Sequence, residues 1–291
     1  MEATVINADN RFSFKRFVCY ASLYLSANRR KLLLGVLQVF IFSFLFNLFM
    51  LHLGGGMDMY ETFRGSSDPM AIDPFWNWEG QSMLVMAFIF MAFSGSWMFR
   101  SMATRKDRLA TLEIPALQSE KFLTWWCFYL PVMLLVILVS FWLSDILRVI
   151  WVKAFSPFGF RAHLIPLKYL VNFRVLNPYD TAAENHGITF IIYSLLVGCN
   201  SLFSLGSILF HKLNFLKTVI WGFVLMALST LLYTFGRSVF FSDNYEYATV
   251  RFNMNLADNS FVAGGIIFFV AACIYLLAYC RYRDEEIINR W

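Results

Sequence analysis

Charged residues are scarce in this chain, and their scarcity decides its broad class. Asp, Glu, Lys and Arg make up 15% of the 291 residues, whereas a soluble domain has about 25%. Hydrophobic residues reach 59% and aromatic residues 19%, more than a core of this size can bury. These values exclude an ordinary soluble enzyme and a disordered tail. They predict an all-α integral membrane protein with several helical spans.

Motifs for metal, nucleotide and covalent chemistry are also missing. None of the five cysteines is paired at CxxC spacing, which excludes a zinc framework and a secreted disulfide scaffold. We expect them to be small buried hydrophobic residues. The chain has no Gly-Lys dipeptide and therefore no P-loop, and it has no HExxH motif. We therefore expect no cofactor, no metal and no catalytic residue on this chain.

One short segment matches a catalytic signature in its sequence but not in its position. Glu285–Arg290 fits EExxxR, a mark of an intramembrane protease family. That chemistry needs the glutamates within a helical core, but here the run follows the last apolar stretch. We interpret it as a solvated charged tail.

Six apolar runs are long enough to cross a bilayer, which takes about 20 residues each. None contains Asp, Glu, Lys, Arg or His, and the polar exceptions include Asn47 and Asn200. Because ion-coupled carriers generally need ionisable groups in the membrane, the sequence indicates that any transport is energised by a partner. The predicted spans are Leu33–Leu51, Gln81–Phe99, Thr124–Ser144, Gly187–Phe210, Thr218–Gly236 and Ser260–Cys280.

The distribution of basic residues predicts the orientation. With six spans drawn, one side has sixteen Lys and Arg residues and the other has eight. Cytoplasmic segments carry the excess, so we expect both termini inside and a single transmembrane domain over residues 1–291. The loop Asp145–His186 departs from the rule, because it should be external yet has five basic residues. We interpret its middle, His163–Leu176, as an amphipathic element on the outer surface. A misplaced third or fourth span is the alternative.

The segment before the first span has the pattern of an amphipathic helix. Its apolar residues recur at helical spacing, and we expect it to lie along the cytoplasmic leaflet over Arg11–Arg30. A solvated basic leader is the alternative. The proposed apolar face consists of Phe14, Phe17, Val18, Ala21, Tyr24 and Leu25.

The loop between the second and third spans, Arg100–Phe122, mixes charges with aliphatic residues. Such a stretch suits docking on a soluble protein, although an ordinary positive-inside loop has similar composition. We expect Leu109, Leu112 and Leu117 to be apolar anchors. Pro115 divides the loop, and Lys121 leads into the third span. The expected charged rim consists of Arg105, Arg108, Glu113 and Glu120.

These features together resemble the type-2 ATP-binding-cassette (ABC) exporter permeases, and in particular a subgroup of short bacterial permease-like membrane proteins. The family has six spans, both termini inside and an amphipathic helix before the first span. The motifs that carry the resemblance are Thr111-Leu112-Glu113, Pro115–Phe122, Leu205–Phe210, Lys217-Thr218 and Arg281–Glu285.

The resemblance implies a transmembrane permease subunit in a bacterial cytoplasmic (inner) membrane. It implies two partners besides the lipid bilayer: a second permease copy or paralogue, and a cytoplasmic ABC ATPase. The Arg100–Phe122 loop would be the coupling helix on which the ATPase docks, buttressed by the N-terminal helix. A membrane sensor or scaffold that keeps the fold without transport is the main alternative, and a membrane-embedded enzyme is a weaker one.

Overall fold

The computed structural model describes the helical part of the chain. Its described residues are 12–52, 76–102, Thr111, Ile114, 116–155, 162–165, Leu167, Val171, 186–210, 214–240 and 256–288. Over these ranges the backbone is almost entirely helical and has no strand, which confirms the all-α prediction.

Seven α-helices follow one another along the described residues. A short 3-10 turn, Arg100–Met102, follows α2, and a π-helical turn, Phe128–Val132, joins α3 to α4 without a break. The helices are α1 Phe14–His52, α2 Trp76–Trp97, α3 Gln118–Cys127, α4 Met133–Phe155, α5 His186–Leu209, α6 Asn214–Phe240 and α7 Leu256–Ile288.

Each of the six predicted spans coincides with one of these helices or with the continuous run from α3 to α4. Four of the described helical segments are long and apolar enough to cross a membrane. The chain therefore has the features of a multi-pass membrane protein, while the number of six crossings and the location of the termini stay predictions. The four segments are Phe14–His52, Gln118–Phe155, Gly187–Leu209 and Ser260–Asp284.

The chain forms two compact units. Unit 1 contains residues 1–91 and 115–184, and unit 2 contains 92–114 and 185–291. The chain passes from one to the other within α2, within the predicted coupling loop and just before α5. The sequence had indicated a single transmembrane domain, and nothing in its composition marks these boundaries.

In unit 1, α1 packs parallel to the run from α3 to α4. Three side-chain contacts show the direction, because they advance along both partners together. The hydroxyls of Tyr24 and Tyr129 share a hydrogen bond. Further along, Asn47 Nδ2 donates to Ser144 Oγ at 2.7 Å. Near the ends of both helices, Trp151 Nε1 donates to His52 Nε2 at 3.1 Å.

In unit 2, α5 and α7 form a second parallel pair. Gly187 lies against Ser260 near the start of both helices. Further along, Tyr275 Oη donates to Asn200 Oδ1 at 2.6 Å. Asn200 is completely buried. The two asparagines that interrupt the predicted spans, Asn47 and Asn200, are thus the polar contacts that join the parallel helices of their units, as is common between helices in lipid.

The N-terminal helix is longer and simpler than predicted. The expected interfacial helix and the first span form one helix of 39 residues, with no break at the exposed residues Arg29, Arg30 and Lys31. At 1.5 Å per residue it is about 58 Å long, roughly twice the hydrocarbon thickness. If Leu33–Leu51 lies in the bilayer, the preceding half extends past its surface.

The predicted apolar face of this N-terminal half is partly packed against the protein and partly exposed. Tyr20 is buried, whereas Phe14 is 70% exposed and Val18 is 47% exposed. Phe17, Ala21 and Tyr24 are half-buried. The packed side is set by contacts with α3 and the π turn, and hydrophobic periodicity alone does not contain that information.

Large apolar side chains cover much of the outside of the helices. Phe223 and Phe269 are each more than two-thirds exposed, as is typical of surfaces that lipid covers. The five cysteines are free thiols, and none of them is buried. The expectation that they are buried core residues is therefore wrong, because an apolar side chain in a membrane helix can face lipid instead of a core.

Candidate functional site

The sequence places the candidate site in the loop Arg100–Phe122, and the structure describes its two ends. Leu117, Glu120 and Lys121 belong to the described end that enters α3. The other predicted docking residues, which lie outside the described residues, are Arg105, Arg108, Leu109, Leu112, Glu113 and Pro115.

Leu117 ends the loop and begins α3. Its backbone is extended, with φ −66° and ψ 151°. Glu120, three residues later, reaches back so that its Oε2 accepts the Leu117 N–H at 3.0 Å. This is the return half of a capping box, and it satisfies a backbone donor that the helix leaves without an internal partner.

The second oxygen of the same carboxylate holds the start of α1. Glu120 Oε1 accepts the Ser13 backbone N–H at 2.9 Å and Arg16 Nε at 3.3 Å. The Glu120 side chain is completely buried, while that of Arg16 is 30% exposed. One carboxylate therefore lies at the N-termini of two helices, where the helix dipoles favour negative charge. We call Ser13, Arg16, Leu117 and Glu120 the Glu120 junction.

Glu120 and Lys121 lie inside the protein rather than at the exposed position that the sequence predicts. The sequence predicts an exposed charged rim that includes Glu120, followed by Lys121, but both residues are buried in this chain. The Glu120 carboxylate instead accepts hydrogen bonds from Ser13 and Arg16 at the start of α1, which are 107 and 104 residues away in sequence. That a partner docks on the loop stays a prediction, with Glu120 inside the protein rather than at its rim.

Beyond the Glu120 junction, towards the C-terminal end of α1, this helix contacts the π turn. The hydroxyls of Tyr24 and Tyr129 are 3.0 Å apart and share a hydrogen bond. The Tyr24 ring lies 5.5 Å from that of Phe128. Pro131 lies inside the turn, and because proline has no N–H and its ring crowds the preceding carbonyl, it distorts an α-helix. Prolines and π turns are the usual positions of helix bends.

A second polar cluster, missed by the sequence analysis, lies near the other end of the α1–α4 pair. Arg148 donates to Asp145 Oδ1 through Nη2 at 2.7 Å and Nε at 2.9 Å. Both side chains are 1% exposed. The backbone of the segment 162–165 completes the cluster, because Ile165 N–H donates to Asp145 Oδ2 and Arg148 donates to the His163 carbonyl.

Helix α4 continues past Ser144, the predicted end of the third span, and Asp145 and Arg148 lie within it. Asn47 is level with Ser144 and His52 is level with Trp151, as their hydrogen bonds show. If Leu33–Leu51 crosses the bilayer, α4 lies at membrane depth as far as about Trp151, and charged residues at that depth are generally paired and buried. The available sequence signal was an Asp and an Arg three residues apart at the end of an apolar run.

The described residues bring no three of His, Cys, Asp or Glu together as a metal site. Comparison of the chain with protein-family models, curated proteins and solved structures gives no match. The functional argument therefore depends on the geometry of the two clusters and on the loop that leads into the first.

Proposed function

We propose that this chain is the transmembrane permease subunit of an ATP-driven ABC exporter. A separate cytoplasmic ATPase would dock on the loop 100–122, and a second copy or a paralogue would complete the transmembrane part. The proposal places the chain in a bacterial cytoplasmic membrane with both termini inside, and it assigns ATP hydrolysis to the partner.

The observation that best supports this proposal is the Glu120 junction. The proposed docking loop enters α3 at Leu117, and three residues later the buried Glu120 holds the beginning of α1. A movement of the loop would therefore be transmitted to both α1 and α3 through the contacts of Glu120. An ordinary connecting loop needs no such attachment.

The helices beyond the junction are suited to transmit a rigid-body movement. The run from α3 to α4 has 38 residues and is interrupted only by the π turn with Pro131. We expect α1, α3 and α4 to move as one body, because α1 bonds α3 at Glu120 and α4 at Ser144 and Trp151. Rocking of packed helices is an established kind of conformational switch.

Affinity purification from the native membrane tests the docking step. Wild type should co-purify an ATPase with a P-loop, and Leu112→Asp should lose it, since apolar anchors carry most of the affinity of a docked patch. Leu23→Asp is the matched control, because Leu23 is an exposed leucine of α1 outside the loop. Arg108→Ala should weaken co-purification only modestly and make it less sensitive to salt.

A fourth variant tests whether Glu120 itself takes part in docking. Glu120→Gln should keep the ATPase bound, because the buried side chain cannot touch a partner. Absence of any P-loop protein from the wild-type eluate would contradict the exporter proposal and favour the non-transporting sensor or scaffold. Equal loss in Leu23→Asp and Leu112→Asp would show that the loop is not the docking element.

A further inference from the structure

An open apolar groove runs between α1 and α4 within unit 1. Its volume is about 380 Å³, within the range of about 300–1,000 Å³ that is usual for ligand pockets. Several of its leucines are about half exposed, so the groove opens on the outer surface of the helix pair. Among the residues that line it are Leu33, Leu37, Phe40, Leu135, Val139 and Leu143.

Basic residues continue the groove face of α1 beyond the apolar part. Arg29 precedes Leu33 by four residues and Arg30 precedes it by three, and helical residues at these spacings share a face. Lys31, two residues before Leu33, lies on the opposite side of the helix. All three basic residues are exposed. The groove therefore has an apolar length with positive charge at one end, where the predicted first span meets the cytoplasmic surface.

We propose that this groove binds one phospholipid of the cytoplasmic leaflet, with an acyl chain against α1 and α4 and an anionic headgroup on Arg29 and Arg30. The apolar lining matches a hydrocarbon chain. Guanidinium groups form strong, charge-assisted hydrogen bonds with phosphate. This binding mode requires only that α1 and α4 lie in the bilayer with Arg29 and Arg30 at its cytoplasmic surface, so it does not depend on the exporter proposal.

A pair of charge variants tests the headgroup contact. The purified full-length protein is placed in nanodiscs with equal amounts of phosphatidylglycerol and phosphatidylcholine, and the retained lipids are counted by native mass spectrometry. Wild type should retain phosphatidylglycerol preferentially. Arg29→Gln should lower its retention about fivefold, because one exposed ion pair with the headgroup phosphate is lost. Lys31→Gln removes the same charge from the opposite face and should have little effect.

A pair of size variants tests the acyl-chain contact. Leu37→Trp should fill part of the groove and lower the retention of both lipids. Leu34→Trp is the matched control, because Leu34 is similarly exposed on α1 but is not among the groove-lining residues. The charge variants change only exposed side chains and keep the proposal testable even if Leu37→Trp fails to fold.

Three results would overturn the inference. Equal retention of the two lipids by wild type would exclude an anionic headgroup site. Equal effects of Arg29→Gln and Lys31→Gln would indicate diffuse attraction to a charged surface. Loss of a dimer in Leu37→Trp without any change in lipid retention would assign the groove to a second copy of this chain.

Discussion

The Asp145–Arg148 pair is the residue-scale feature whose removal should cost most. Each partner is almost fully buried and bonds both the other side chain and the backbone of residues 163–165. Asp145→Asn should lower the free energy of unfolding by about 3–5 kcal/mol, because it leaves the Arg148 charge buried without a counter-charge. An SDS titration of the purified protein, with the folded fraction as readout, measures the change.

Asp284→Asn is the control for that variant. Asp284 is exposed, so the same chemical change should alter stability by no more than about 0.5 kcal/mol. Equal effects at positions 145 and 284 would show that the pair makes no specific contribution.

At the Glu120 junction, the two partners of the ion pair should differ in importance. Glu120 accepts two backbone N–H groups as well as Arg16 Nε. Glu120→Gln leaves one side-chain oxygen for three donors, so it should destabilise by about 1–3 kcal/mol. Arg16→Gln should cost less, because the carboxylate keeps both backbone donors and lies at two helix N-termini, whose dipoles still favour its charge. Thermal unfolding of the two variants gives the order, and the reverse order would contradict the assigned contacts.

At the scale of the elements, the parallel packing of α1 and α4 can be tested by cross-linking. In a background without native cysteines, Asn47→Cys with Ser144→Cys should form a disulfide under mild oxidation. The native side chains are hydrogen-bonded at 2.7 Å, and a disulfide requires two residues whose side chains face each other at close range. Tyr24→Cys with Ser144→Cys should not cross-link, because Tyr24 lies more than 20 residues earlier on α1. Cross-linking of both pairs would rule out the parallel register.

At the scale of the whole molecule, the two parallel pairs constrain the topology. Helices α1 and α4 run in one direction within unit 1, so a chain that spans with both must return between them, and α2 is the helix that the described residues offer between them. In unit 2, α6 has the same relation to α5 and α7. An alternating path with both ends on one side stays a prediction.

Reporter fusions test that path. With twice as many basic residues on the predicted inner side, a reporter after Trp291 should behave as cytoplasmic and one inserted near Gly65 as external. Gly65 lies outside the described residues. A cytoplasmic signal at Gly65 would overturn the whole topology.

The sequence by itself determined the all-α class and, over the described residues, the approximate positions of the long helices. Both follow from local composition, because backbone groups in lipid must be satisfied within the segment and only a helix does this in an apolar run of about 20 residues. It also marked Asn47 and Asn200 as unusual polar residues within predicted spans. It could not fix helix ends, since α1 and α4 continue past the apolar runs into charged sequence.

Only the tertiary structure decided which polar groups meet. From the sequence, Glu120 is expected to be a surface charge of a loop. Asp145 and Arg148 are expected to begin an exposed loop. Their burial depends on contacts with Ser13 and Ile165, 107 and 20 residues away along the chain. A charged side chain can be buried when the fold brings it a partner that offsets the loss of water, and no local pattern states where that partner is.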